Sequence, residues 1–322
     1  MNKKRKVTLF LLMIASMLNA CGKVNSKVQV VDEAGDPIEG AEVRFSYVNY
    51  KNEEEKVLIT DAEGFVRSSG TAELRVNLSV SKEGYYKTRY DKSEGTALGK
   101  NQNHNIEVRL RKIENPIPLH VKKAIIGVPR ENEWFGYDLE IGDLVSPSGN
   151  GQRVDFLLKV DAVGTMPNGS VKPKSGTGKF WIKFPNAHEG LAYEKDGFSG
   201  LSQMRMPHKA PKEGYVASLE REEKSYHNEF VQRGVGIFLR VRVKENEEAE
   251  IEEAHYAKIT SDIYFDPRET GWHQGDAGKP KVYGGVRFTY YFNPTPNDRN
   301  LEFDPEKNLF KNLPRNEQVR EP

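Results

Sequence analysis

Val31-Asp32-Glu33-Ala34-Gly35-Asp36-Pro37-Ile38-Glu39-Gly40-Ala41-Glu42-Val43 is the stretch on which the fold turns. Before it, residues 27–32 alternate, with Val28 and Val30 on one face; after it, residues 41–47 alternate through Val43, Phe45 and Tyr47. Period-two patterning on both sides of a break rich in Gly, Asp and Pro marks β-strands joined by tight turns. Gly35 and Gly40 suit such turns, because the backbone there takes φ > 0, which only glycine adopts without steric cost. The alternation returns at Val57 and Ile59, at Leu74, Val76, Leu78 and Val80, and at Ile106, Val108 and Leu110. Short strands at this spacing predict a β-sandwich over residues 27–112.

Two more turns carry the same punctuation: Thr60-Asp61-Ala62-Glu63-Gly64-Phe65 and Lys82-Glu83-Gly84-Tyr85. Together with residues 31–43 they resemble the carboxypeptidase-regulatory-like, or transthyretin-like, domain. Its pattern is a D-x-x-G-x-P-x-x-G-A-x-V turn, a T-D-x-x-G-x-F turn and a closing x-x-G-Y. The likeness covers about a quarter of the chain. It implies a sandwich that is non-catalytic and serves in packing, spacing or binding. Asp32, Glu33 and Asp36 lack the ligand spacing of a calcium loop, and Asp-Gly turns need no metal.

Further out, at the start of the chain, Lys3, Lys4, Arg5 and Lys6 precede an apolar run over residues 7–17. A spanning helix needs ~20 apolar residues, so this run has the length of a secretory signal over residues 1–20 and not of a membrane span. Leu18-Asn19-Ala20-Cys21 follows, and Cys21 is the only cysteine of the chain. This resembles the lipobox of bacterial lipoproteins. The resemblance implies cleavage after Ala20, a lipid of palmitate type on Cys21 and a lipidated tether over residues 21–26. Gly22 stands where Asp would retain a lipoprotein in the inner membrane, so the implied place is the outer membrane, facing periplasm or surface. With Cys21 lipidated, the chain has no thiol left for a disulfide, and its cores rest on packing alone.

The 322 residues are enough for two domains. Basic and acidic residues number 48 and 47; losing residues 1–20 leaves 44 against 47, a net charge of −3. No cationic field attracts nucleic acid, so a nucleic-acid partner is not expected. The 15 Phe, 14 Tyr and 3 Trp supply core anchors that a disordered chain lacks. Glu114-Asn115-Pro116-Ile117-Pro118 opens a predicted linker over 113–133, since each proline drives its predecessor to extended geometry.

Residues 134–292 repeat the strand pattern at 137–141, 154–161, 179–184, 236–243, 256–265 and 286–292. Ile237, Leu239, Val241 and Val243 share one face, and Arg240 and Arg242 the other. Residues 244–253 read as an acidic hairpin loop, and residues 218–229 as a short helix without an apolar stripe. A second antiparallel sandwich or jelly-roll-like domain is expected, which makes the chain all-β. Residues 293–322, rich in Pro, Asn and charge, read as an extended, partly disordered tail that wraps the domain through Leu301, Phe303, Leu309 and Phe310 before fraying. The whole arrangement resembles bacterial surface lipoproteins, a likeness that brings no activity with it.

Motifs for catalysis are sparse. His188-Glu189 begins like a zincin helix, but Ala192 stands where the second histidine is required, and no metal site is expected. Gly197-Phe198-Ser199-Gly200-Leu201 is one residue short of a nucleophile elbow. Carboxylates abound, and Glu140, Asp143, Asp155 and Asp161 are equal candidates for a glycosidase pair, which only a spatial separation would define. Hence no catalytic residue and no cofactor is assigned.

Aromatic residues give the best lead, because exposed Trp and Tyr form flat apolar faces for sugar rings. Trp134 and Trp272 lie in loop-like flanks, and Tyr137 and His273 stand near them; these four are the candidate ligand-binding residues. The expected function is a non-enzymatic, lipid-anchored envelope protein presenting β-sandwiches for glycan or protein binding. A structural or assembly lipoprotein acting as a spacer, its tail docking an envelope partner, is the alternative, and a glycan hydrolase the third reading.

Overall fold

Acidic side chains set the first turns. The computed structural model describes residues 22–90, 102–165, 175–195, 201–224, 235–260, 263–266 and 285–322. Asp32 Oδ1 accepts the amides of Ala34 and Asp36, each at 2.9 Å, and Gly35 lies at φ +92°. Asp61 Oδ1 accepts the Phe65 amide at 2.6 Å, and Gly64 lies at φ +73°. The two turns interlock through Thr60, whose buried hydroxyl donates to the Ile38 carbonyl at 2.7 Å and accepts the Ala41 amide at 2.9 Å. The Val30 amide donates to the Gly64 carbonyl. A β-carbon at Gly64 would lie 2.5 Å from the Val30 carbonyl oxygen, so the motif glycine is required by contact as well as by φ.

These turns join strands β1 (Gly22–Val31), β2 (Glu42–Val48), β3 (Glu53–Ile59), β4 (Phe65–Ala72), β5 (Arg75–Ser81), β6 (Thr88–Tyr90) and β7 (Gln102–Arg109). The second half contributes β8 (His120–Gly127), β9 (Phe135–Asp138), β10 (Asp143–Leu144), β11 (Phe156–Thr165), β12 (Ser175–Lys183), β13 (Gly190–Lys195) and β14 (Leu201–Ser202). The last strands are β15 (Ser218–Lys224), β16 (Val235–Glu245), β17 (Ile251–Ile259), β18 (Tyr264–Asp266) and β19 (Gly285–Asn293).

The chain is all-β and forms two units. In the first, the three-stranded sheet β4-β1-β7 faces the five-stranded sheet β14-β6-β5-β2-β3. Val24, Val28 and Val30 meet Val43, Phe45, Tyr47 and Val80 between them, all fully buried. Each such side chain stabilises the fold by ~1.5–3 kcal/mol. β4 escapes the sequence pattern because its interior is small: Ser68 hydrogen-bonds the Tyr47 hydroxyl at 2.9 Å, and Gly70 leaves room for the Tyr47 ring. β14 corrects the contiguous boundary at 112. It pairs with β6, and the Gln203 amide donates to the Lys87 carbonyl, so residues 201–205 complete this unit.

In the second unit, the five-stranded sheet β10-β9-β11-β12-β15 faces the six-stranded sheet β13-β16-β17-β19-β18, with β8 paired to β19. Phe135, Leu158, Val160 and Phe180 from one sheet pack on Ile237, Leu239, Ile259 and Phe288 from the other. Two sequence expectations are corrected here. Residues 113–133 are no mere linker, because β8 pairs with β19 over eight residues. Residues 218–229 do not open as a helix: β15 pairs with β12, which brings Leu219 against the core.

The tail wraps its unit through Leu301 and Phe303, as expected from the sequence, and the structure describes it to residue 322. Leu301 and Phe303 are fully buried, and Phe303 joins Leu119, Val121 and Tyr291 on the outer side of β8 and β19. The Ile117 amide donates to the Glu302 carbonyl, and the Tyr291 hydroxyl donates to the Glu321 carbonyl. Met206, Ala210 and Leu301 likewise cover Phe238, Ala254 and Tyr256 on the outer side of β16 and β17. The six-stranded sheet therefore has apolar clusters on both faces. Among the described residues no apolar cluster covers the outer face of this unit's five-stranded sheet.

Candidate functional site

The outer face of the five-stranded sheet is built by simple alternation. Phe135, Leu158, Val160, Phe180 and Ile182 turn inward, so Lys159, Lys179, Trp181 and Lys183 turn outward. Lys159 lies directly across from Trp181, and Trp181 across from Glu220 on β15. Trp134 enters this face from the loop before β9. Asn132 takes φ +59° and donates its amide to the Val160 carbonyl at 2.8 Å, which turns the loop onto β11. Asn tolerates that left-handed conformation better than most residues.

The result is a row in which ammonium and indole alternate. Lys183 Nζ lies 4.1 Å and Lys159 Nζ 5.1 Å from the Trp134 ring centroid, and Lys159 Nζ lies 4.3 Å from that of Trp181. Each exposed contact of this kind is worth ~0.5–1 kcal/mol. Neither lysine makes an ion pair among the described residues. Lys179 does, with Glu220 at 3.7 Å. Burial and the neighbouring Asp161 push the Glu131 carboxyl up from its ordinary value. Trp134 is 37% exposed and Trp181 half-buried, so the row offers apolar surface flanked by hydrogen-bond donors.

Of the four residues singled out from the sequence, two are described, and of these Trp134 stands on this face. Tyr137 lies three positions further on the opposite side of the sheet, 1% exposed, packed against Phe156, Phe288 and Tyr290 at 5.4–6.1 Å. Burial pushes its phenol far above the ordinary value, and it is a core residue with no surface to offer. Trp272 and His273 lie outside the described residues, as do Cys21 and residues 197–200 of the serine motif. Trp181, on the strand expected at 179–184 and not singled out there, is the partner that sequence reasoning missed. The signal was present in the register of two strands, since Lys159 and Trp181 meet only when those strands pair.

The carboxylates resolve differently. Arg242 sits at a bulge in β16 with φ +55°, where the register with β17 shifts. The bulge turns its side chain away from the face of Arg240, against expectation, onto the Phe292 ring at 4.7 Å. There Nε and Nη2 grip Asp155 at 2.7 and 3.1 Å, Nη1 meets Glu140, and Nη2 approaches Asp138 at 3.4 Å. Asp155 is fully buried, and its Oδ2 also accepts the Leu139 amide at 2.7 Å. Burial pushes its carboxyl up, against the pull of Arg242.

Burial acts on Asp138 in the same sense, but amides of Gln152, Ile141, Arg153 and Glu140 outweigh it and hold that carboxyl below its ordinary value. Asp143 accepts the amides of Leu144 and Asn150. Asp138, Asp143 and Asp155 thus shape a corner between sheets, and none is placed as a free acid or base. Glu189 is committed too, accepting the Val243 amide at 3.0 Å and both nitrogens of Asn186. Among the described residues no three or more His, Cys, Asp or Glu are grouped as a metal would require.

No protein-family model and no curated protein sequence matches the chain. Solved structures do. Catechol 1,2-dioxygenase from Acinetobacter radioresistens is 16% identical, with TM-score 0.25, over 31% of this chain and 55% of that one. A DUF3823 family protein from Parabacteroides merdae is 8% identical, with TM-score 0.20, over 68% and 89%. A protein from Bacteroides uniformis proposed to bind carbohydrate is 7% identical, with TM-score 0.20, over 83% and 97%. The chain spans 55–61% of the length of such dioxygenases. Likenesses this low carry no activity across.

Proposed function

We propose that this chain is a non-enzymatic lipoprotein of the bacterial cell envelope, anchored through Cys21, whose second unit binds a glycan on the face carrying Trp134 and Trp181. One observation carries the reading. Of the two sheets in that unit, one has apolar clusters on both faces, while the other carries a half-buried tryptophan-lysine row on a face that no apolar cluster of described residues covers. Indole faces stack on the C–H faces of sugar rings, and the ammonium groups of Lys159 and Lys183 donate to hydroxyls or acidic groups. Lipobox and Gly22 support outer-membrane anchoring, and the turn motifs support a regulatory-like first sandwich that spaces or packs. The assembly reading keeps residues 304–321 as its docking strap, because residues 301–303 are buried in their own unit.

A glycan array probed with the full chain in detergent, beside Trp134→Ala and Trp181→Ala, tests the proposal. Each variant is expected to lose about tenfold in affinity, which corresponds to ~1.4 kcal/mol. Undiminished binding in both folded variants, or no glycan bound by the parent, would sink it.

A further inference from the structure

We propose that the end of the first unit bearing Gly22 rests on the bilayer, its turns at residues 49–52 and 73–74 touching the headgroups. The inference rests on lipidation of Cys21, as proposed above, and adds to it a membrane-contact surface. A tether was expected over residues 21–26, yet β1 begins at Gly22 and is in register from its first residue. Gly22 pairs with Ala72 of β4, and Val24, fully buried, pairs with Gln102 of β7. One peptide step of ~3.8 Å separates Cys21 from a strand locked in the sheet, so an acyl chain on Cys21 has almost no slack.

Register decides which residues share that end. Ala72 beside Gly22 brings the β4–β5 turn there, and Val48 opposite Arg75 brings the β2–β3 turn. The two turns are clasped together. Asn49 Nδ2 donates to the Thr71 carbonyl at 3.3 Å, and Asn49 Oδ1 accepts the Glu73 amide at 2.9 Å. The Tyr50 amide donates to Glu73 Oε2 at 3.0 Å, and the Leu74 amide to the Val48 carbonyl at 3.0 Å. From this clasp project Tyr50, 75% exposed and the most exposed large apolar residue among those described, and Leu74, 39% exposed.

Lys23, Lys51 and Arg75 are exposed around them, against the carboxylates of Glu53 at the rim and Glu73 in the clasp. A tyrosine ring suits the headgroup layer, and cations near it are attracted to anionic lipid. The opposite end of the unit has the contrary character. Its turns carry Asp32, Asp36, Glu39, Asp61, Glu63 and Glu83 against Lys82, Lys87 and Lys112, while Glu33 is paired with Arg111 at 2.7 Å. An anionic bilayer therefore favours the same orientation that the short anchor imposes.

The test uses the full lipid-modified chain in vesicles of phosphatidylethanolamine and phosphatidylglycerol with brominated acyl chains. Once Cys21 is lipidated the chain has no other thiol, so Asn52→Cys and, at the far end, Glu63→Cys each accept a single fluorophore. The ten residues of β1 set the two ends roughly 30 Å apart at ~3.3 Å per residue, and quenching at Asn52→Cys is expected to be about threefold stronger or more. Adding Tyr50→Ser and Leu74→Ser should lower it by about half, the ring and side chain being the interfacial contacts. A mass showing Cys21 unmodified overturns the anchor and the proposal with it. A lipid-modified chain quenched equally at both sites overturns the seating and leaves the anchor standing.

Discussion

The first unit fixes its turns with acids that reach two to four residues along the chain; the second fixes a corner with an arginine that reaches 87 to 104 residues. Asp32 and Asp61 serve backbone amides at the surface, where water covers whatever the turn leaves unpaired. Asp155 has no water and depends on Arg242. The difference lies in what a missing partner would cost. A surface turn that loses one hydrogen bond loses ~0.5–1.5 kcal/mol net, whereas a buried carboxylate stripped of its cation carries the full penalty of desolvation.

Arg242→Met is accordingly the change expected to separate the two units most. It leaves Asp155 buried without its counter-ion, and a loss of ~3–5 kcal/mol is expected in the second unit alone. Hydrogen exchange of amides in β9 and β16 would register it, with β1 and β2 unchanged; a loss below ~1 kcal/mol would mean that water reaches Asp155. Gly64→Ala strikes the first unit instead. It places a β-carbon against the Val30 carbonyl at a positive φ, and ~1–3 kcal/mol of strain is expected. Exchange in β1 and β4 should quicken while β16 holds; an unchanged rate would show that the turn relaxes freely.

The smallest effect is a pH dependence confined to the second unit. His120 and His255 flank Phe292 with ring centroids 6.2 and 6.0 Å away, and neither Nδ1 has a hydrogen-bond partner among the described residues. Burial, with Arg242 adding to it, lowers both imidazoles from the ordinary 6.5, although Glu140 and Asp138 pull on His120 and Glu253 on His255 the other way. The folded state then binds fewer protons than the unfolded one. Stability is thus complete above pH ~6.5 and falls as pH drops through the lowered values. Thermal melts between pH 7.5 and 5 should show this slope. His120→Phe, which retains a ring against Phe292 and Phe310, should flatten it; an unaltered slope would exclude His120 as its source.

Legibility followed the same divide. Turn motifs and alternation at Val28, Val43, Phe45 and Val80 marked the first sandwich, because Asp-Gly turns and period-two faces are local properties of the chain. β4 stayed hidden, since Ser68 and Gly70 are chosen to fit Tyr47, a residue more than twenty positions away. β15 read as a helix because its charges suit one; only pairing with β12 makes it a strand. Trp134 and Tyr137 looked equivalent as candidates, and three residues of strand put them on opposite faces of one sheet.

By itself, then, the sequence determined the all-β class and the first sandwich with its glycine turns, and its lipobox-like stretch at Leu18–Cys21 is what the proposed anchor rests on. Tertiary structure alone decided that residues 201–205 complete the first unit and that Arg242 closes on Asp155 and Asp138. It alone set Lys159 between Trp134 and Trp181. The reason is one of range. A turn or a signal segment is written in consecutive residues, whereas a sheet face or a buried ion pair exists only once distant strands have chosen their register.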